Sequence, residues 1–104
     1  MDRLRNVTVI KKANIYYDGR VTSRTIGLAD GSTQSLGIML EGEYTFGTNE
    51  AEIMEILSGE LDIKLENEEW RTLNPPETFN VAANSSFDLK IHSVTDYCCS
   101  YIKS

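Results

Sequence analysis

Short runs rich in Val, Ile, Leu, Thr, Tyr and Phe recur about every 8 to 12 residues along this chain, and each is closed off by a cluster of Gly, Asn, Asp, Ser or Pro. Such spacing leaves little room for amphipathic helices and points to an all-β sandwich or barrel. The candidate strands are residues 14–17, 20–28, 34–41, 43–46, 52–57, 60–66, 69–73, 78–82, 86–92 and 96–102. The best helical window, Asn49 to Ser58, runs into Gly59 and the strictly alternating Leu61-Asp62-Ile63-Lys64-Leu65, so at most one helical turn is expected around residues 49–52.

The punctuation has recognisable chemistry. Asp18-Gly19 and Asp30-Gly31 suit positions that need positive φ, Ser58-Gly59 reverses the chain, and Glu66-Asn67-Glu68-Glu69 is a solvated connection. Pro75 and Pro76 cannot donate to a sheet ladder, so they belong between strands. With 104 residues and no linker or repeat, residues 1–104 read as one domain. Residues 1–17 alternate poorly and read as an N-terminal edge strand, a cover over the barrel or a swapped arm.

Alternation also sorts side chains by face. Phe87, Leu89 and Ile91 share one face of their strand, opposite Asp88, Lys90 and His92; Tyr97, Cys99 and Tyr101 share another, opposite Cys98, Ser100 and Ile102. Tyr97-x-Cys99-x-Tyr101 either packs a core or lines a pocket with its hydroxyls. His92 reads as an exposed histidine at a strand end, since its parity opposes that of Phe87.

Charge and cysteine content narrow the partners. A formal net charge of -6 disfavours the phosphate-neutralising surface of a nucleic-acid binder, whereas a few local donors can still hold a small anion. No membrane partner is indicated. Adjacent Cys98 and Cys99 point to opposite faces and form neither a disulfide framework nor, with the single His92, a zinc site. These features read as a reduced, cytoplasmic protein.

Two motifs carry a resemblance. The Glu-x6-Gly spacing of Glu52 to Gly59 resembles the second half of the first cupin motif, and Phe79-Asn80-Val81-Ala82-Ala83-Asn84-Ser85-Ser86-Phe87 resembles the second. Where cupins commonly carry three ligand histidines, this chain has Phe46, Thr48 and Phe87; Glu52 alone of the four ligand positions is retained. The resemblance therefore implies a single-domain cupin, a small jelly-roll barrel, with no metal site.

Further stretches narrow it. Leu36 to Phe46, Ser58-Gly59-Glu60-Leu61, Phe79-Asn80-Val81, Ala83 to Phe87 and Tyr97-x-Cys99-x-Tyr101 together resemble the small bacterial pyrimidine/purine nucleoside phosphorylases, from about Val21 to Tyr101. That family implies broad-specificity phosphorolysis: a purine or pyrimidine ribonucleoside plus inorganic phosphate gives a free base and ribose 1-phosphate, with no metal or organic cofactor. A homodimer is also expected, because a β domain this small gains core by pairing. A non-catalytic sugar- or small-molecule-binding cupin is the alternative that the same residues would serve.

Such a reaction needs acceptors for ribose hydroxyls, a surface for the base and donors for phosphate. Glu52 and Glu43 are the candidate catalytic carboxylates. Tyr44, Phe46, Phe87, Tyr97 and Tyr101 are the candidate substrate-binding residues. Arg24, Ser85 and Ser86 are the candidate phosphate-binding residues, the serines through turn N–H groups and hydroxyls.

Overall fold

A computed structural model describes residues 3–103. The strands are β1 (Thr8–Val9), β2 (Asn14–Tyr16), β3 (Val21–Gly27), β4 (Thr33–Met39), β5 (Gly42–Gly47) and β6 (Ala51–Ser58), followed by β7 (Leu61–Leu65), β8 (Arg71–Leu73), β9 (Glu77–Val81), β10 (Ser86–Ile91) and β11 (Thr95–Ile102). Each run singled out in the sequence has become a strand. The helical turn allowed around residues 49–52 does not form, because β6 begins at Ala51 and pairs along its length with β11. A short turn of left-handed backbone, Tyr17–Gly19, follows β2. Of the N-terminal segment, Met1 and Asp2 lie outside the described residues, as does Ser104; the rest supplies β1 and β2, both paired to β3.

All pairings are antiparallel, in two sheets. The larger has the order β1-β3-β4-β11-β6-β9, with β2 also on β3; the smaller has the order β5-β10-β7-β8. The alternation anticipated for β10 and β11 holds, and it sends Phe87, Leu89, Ile91, Tyr97 and Cys99 into the interior. Opposite them lie Met54 and Ile56 of β6, Leu61 and Ile63 of β7, and Phe79 and Val81 of β9. Ile56 and Ile63 are fully enclosed, each contributing about 1.5–3 kcal/mol of hydrophobic stabilisation.

One glycine determines how the interior is shaped. Gly37 on β4 stands opposite Tyr97 on β11, and a Cβ there would lie 2.7 Å from both Cζ and Oη of Tyr97. The phenol of Tyr97 therefore lies flat across the strand backbone, in space that any larger residue would take.

Candidate active site

One end of the barrel is hollow, with a cavity of about 180 Å³. That is below the usual range of roughly 300–1,000 Å³ for drug-sized ligands, so this open-mouthed cavity suits small molecules rather than a polymer. Its lining is chemically divided. Tyr16, Phe46 and Phe87 form an aromatic side, Ser23, Glu52, Tyr97, Cys99 and Tyr101 a polar side, and Met39, Met54 and Leu89 an apolar remainder. Exposed Tyr16 and Gly47 mark the mouth.

The ladder registers explain this division. On the large sheet, Glu52 of β6 faces Tyr101 of β11, and Met54 faces Cys99. On the small sheet, Phe46 of β5 pairs with Phe87 of β10. Their rings lie 5.9 Å apart with a 33° tilt, and Phe79 packs edge-on against Phe87. A carboxylate with phenols thus looks across the cavity at a wall of phenylalanine.

The polar side carries separate hydrogen-bonded pairs. The Cys99 thiol donates to Glu52 Oε1 at 3.4 Å, and the hydroxyls of Ser35 and Tyr101 share a hydrogen bond of 2.8 Å. Ser23 Oγ accepts from Asn14 Nδ2 at 3.2 Å. Partial burial pushes the Glu52 carboxyl up from the ordinary glutamate value; the Cys99 thiol partly offsets this, and nearby Glu50 adds to it. Burial pushes Tyr97 up to about 12, with Ser23 opposing. Burial likewise raises the Cys99 thiol, with neighbouring Glu52 adding to the effect, and raises Tyr101 despite its bond to Ser35. At neutral pH these three groups stay protonated and act as donors.

Of the residues singled out from sequence, Glu52, Phe46, Phe87, Tyr97 and Tyr101 meet in this cavity. Glu43 does not: it stands exposed, opposite Lys90 in the ladder. Tyr44 is buried nearer the other end of β5, where its hydroxyl donates to the Leu40 carbonyl at 2.6 Å. Arg24 is exposed, with parity opposite to the inward Ser23. The Ser85 hydroxyl donates to Glu66 Oε2 at 2.7 Å and its N–H to Thr48 Oγ1 at 3.0 Å, while Ser86 is exposed. Ser85 closes the turn before β10 and Ser86 is the first residue of that strand, both outside the cavity lining. His92 is exposed at the end of β10 and pairs with Asp62 at 2.9 Å. Among the described residues, no Arg, Lys or His lines the cavity.

Sequence reasoning missed Ser23, Ser35 and Tyr16. The two serines carried a signal, since each is a buried hydroxyl at an inward position of a strand. Tyr16 carried none, because its place depends on how the N-terminal segment crosses the barrel.

Donors at the positions of the cupin metal ligands do not suit a metal. Phe46 and Phe87 offer no lone pair, and the Thr48 hydroxyl is engaged with the Ala82 carbonyl at 2.7 Å. Among the described residues, no group of three or more His, Cys, Asp or Glu gathers into a metal-binding cluster.

Two antiparallel sheets closed around a cavity at one end define a single-domain cupin. The chain superposes on the crystal structure of a protein of unknown function from Acinetobacter sp. ADP1 with a TM-score of 0.91 and 36% identity, covering 96% of this chain and 98% of that one. It shares its fold alone with ectoine synthase from P. lautus, at a TM-score of 0.69 and 18% identity over 79% of this chain and 63% of that one. Residues 11–101 match the family model described as pyrimidine/purine nucleoside phosphorylase, and the chain belongs to that family. A pyrimidine/purine nucleoside phosphorylase of Sulfurimonas denitrificans is 71% identical over 103 residues, covering 99% of this chain and all of that protein. Another, from Chlorobium chlorochromatii, is 56% identical over 98% of this chain and 99% of its own length.

Proposed function

We propose that this chain is a nucleoside phosphorylase that transfers the pentosyl group of purine and pyrimidine ribonucleosides to inorganic phosphate, giving free base and ribose 1-phosphate. The observation that carries the reading is the division of one cavity, in a member of this family, into a carboxylate with phenol donors on one side and a phenylalanine wall on the other. In the reaction the C1′–N bond breaks with its electron pair leaving on the base, a phosphate oxygen bonds to C1′, and the base takes up the proton that the phosphate gives up. Positive charge builds on the sugar in between. Glu52 accepts hydrogen bonds from the ribose hydroxyls and stabilises that charge.

Phe46 and Phe87 receive the base. Their rings offer a face without base-edge hydrogen bonds, so purines and pyrimidines are accepted alike. Tyr97 and Tyr101 donate to anionic oxygens of phosphate as neutral phenols. The reaction runs without a metal or organic cofactor, a reading supported by Phe46 and Phe87 at ligand positions.

The chain works as a homodimer in the cytoplasm. Dimerisation is supported by the outer face of the large sheet, where Leu36, Ile38 and Ile53 are each more than a third exposed around the buried Cys98. Cytoplasmic residence is supported by two free thiols, Cys98 and Cys99, on opposite faces of one strand.

The test is turnover of uridine and adenosine by chelator-treated protein, with and without phosphate, with chromatographic detection of base and ribose 1-phosphate. Phosphate-dependent release that survives the chelator is expected. Saturable binding without release would replace the reading with a non-catalytic binding cupin.

A further inference from the structure

The segment joining β2 to β3 has an unusual backbone. Tyr17, Asp18 and Gly19 follow one another at φ of 51°, 56° and 90°, so two consecutive side chain-bearing residues, one of them bulky, occupy the left-handed region. Something must hold them there. The Tyr17 hydroxyl donates to the Thr45 carbonyl at 2.6 Å and accepts from the Thr45 N–H at 3.0 Å, satisfying both backbone groups of one residue on β5. β5 is the edge strand of the small sheet, so a side chain stands where a neighbouring strand would be.

The ring of Tyr17 is held as firmly as its hydroxyl. It lies 5.0 Å from Tyr44 and 5.6 Å, edge-on, from Phe46. Arg20 donates to the Tyr17 carbonyl from its N–H at 3.1 Å and from Nε at 3.3 Å. The strap thus begins on the large sheet, where β2 pairs with β3, and is latched to the free edge of the small one.

The residue before the latch is Tyr16. Its ring packs edge-on against Phe46 at 5.7 Å and 89°, lines the cavity and remains 41% exposed at the mouth. We propose that Tyr16 contacts the nucleoside as the outer wall of the base-binding side, and that Tyr17, through its paired hydrogen bonds to Thr45, is the positioning residue that holds Tyr16 in place. The inference rests on the phosphorylase reading and extends it to a segment outside both cupin motifs. A strained segment fastened at its strained residue keeps one geometry, which pre-orders an aromatic face for the ligand.

The experiment compares wild type with Tyr16→Ala, Tyr16→Phe and Tyr17→Phe. It measures kcat and separate KM values for uridine, adenosine and phosphate, together with nucleoside Kd by calorimetry and circular dichroism to verify folding. Tyr16→Ala is expected to raise nucleoside KM and Kd about ten-fold, the scale of one lost base–aromatic stack, with phosphate KM little changed. Tyr16→Phe restores most of that loss. Tyr17→Phe keeps every ring contact but removes the latch, and raises nucleoside KM about five-fold with kcat preserved.

Nucleoside KM and Kd unchanged in a folded Tyr16→Ala, or nucleoside and phosphate KM rising together, would overturn the role of Tyr16. A Tyr17→Phe variant with wild-type nucleoside KM and Kd would overturn the latch. If wild type binds nucleoside without phosphate-dependent release, the phosphorylase reading falls while the Kd values still decide the role of Tyr16. If wild type neither binds nor turns over nucleoside, both fall.

Discussion

The thiol of Cys99 lies 3.4 Å from Oε1 of Glu52 and donates to it, inside a cavity whose other polar groups are phenols and a serine hydroxyl. The thiol satisfies one carboxylate lone pair and leaves the others free for a ligand. It also partly counters the burial that disfavours the charged form of Glu52. The bond and the burial thus act on Glu52 in opposite directions, with burial the larger.

Replacing Glu52 by Gln should lower kcat about a hundred-fold, the scale of losing one positioned electrostatic group. The same change should raise Tm at pH 7 to 8. In the unfolded chain the carboxyl ionises at the ordinary glutamate value, whereas in the folded chain it holds its proton to higher pH. Stability contributed at this position is thus lost as pH rises from the unfolded value through the folded one, and Gln, which never ionises, escapes that loss. Thermal melts of the two proteins should converge at pH 4 and separate by pH 7; parallel curves would contradict the assignment.

Gly37→Ala tests the shape of the cavity. The new methyl would meet Cζ and Oη of Tyr97 at 2.7 Å and would press against the Thr22 carbonyl. We expect a loss of about 1–3 kcal/mol of stability from overpacking, read by urea denaturation, and a rise in KM as Tyr97 is displaced. A variant with wild-type stability would show that the ring can lie elsewhere.

Arg24 and Tyr97 separate two ways of holding phosphate. Arg24 stands on the outer face, so Arg24→Ala should leave phosphate KM within about two-fold of wild type. Tyr97→Phe removes a donor from the cavity, and phosphate KM should rise. Steady-state kinetics over a phosphate series reads both, and the reverse ranking would move the phosphate site to the outer sheet face.

Ile38→Glu places a charge among Leu36, Ile38 and Ile53 on the outer face of the large sheet. A stable dimer buries roughly 1,200–2,000 Å² in total, and an unpaired carboxylate at its centre is strongly unfavourable. Light scattering should find dimeric wild type and monomeric Ile38→Glu. A dimeric variant would place the interface elsewhere.

Most of the fold was legible because strand alternation and turn chemistry act over a few residues. The parity of Phe87-x-Leu89-x-Ile91 and Tyr97-x-Cys99-x-Tyr101 depends only on the extended backbone, and Gly19, Gly31, Asn67 and Gly59 carry positive φ in the turns. The one helical turn that the sequence allowed at 49–52 is absent because Ala51 and Glu52 pair with β11 and β9. The site was half legible. Glu52, Phe46 and Phe87 could be placed through the cupin resemblance, and Tyr97 and Tyr101 through parity, whereas Glu43, Tyr44, Arg24, Ser85 and Ser86 were chosen for chemistry without knowledge of where they point.

By itself the sequence determined that this chain is all-β, where it turns, which side chains share a face and to which family it belongs. These follow from backbone geometry repeated every two residues and from motifs read in order. Only the tertiary structure decided that one end of the barrel is hollow, that Arg24 and Glu43 stand outside it, and that Tyr16 closes its aromatic side. Those outcomes depend on which strands pair and in what register, through contacts between residues far apart in sequence, such as Tyr17 with Thr45 and Gly37 with Tyr97, and no local pattern encodes them.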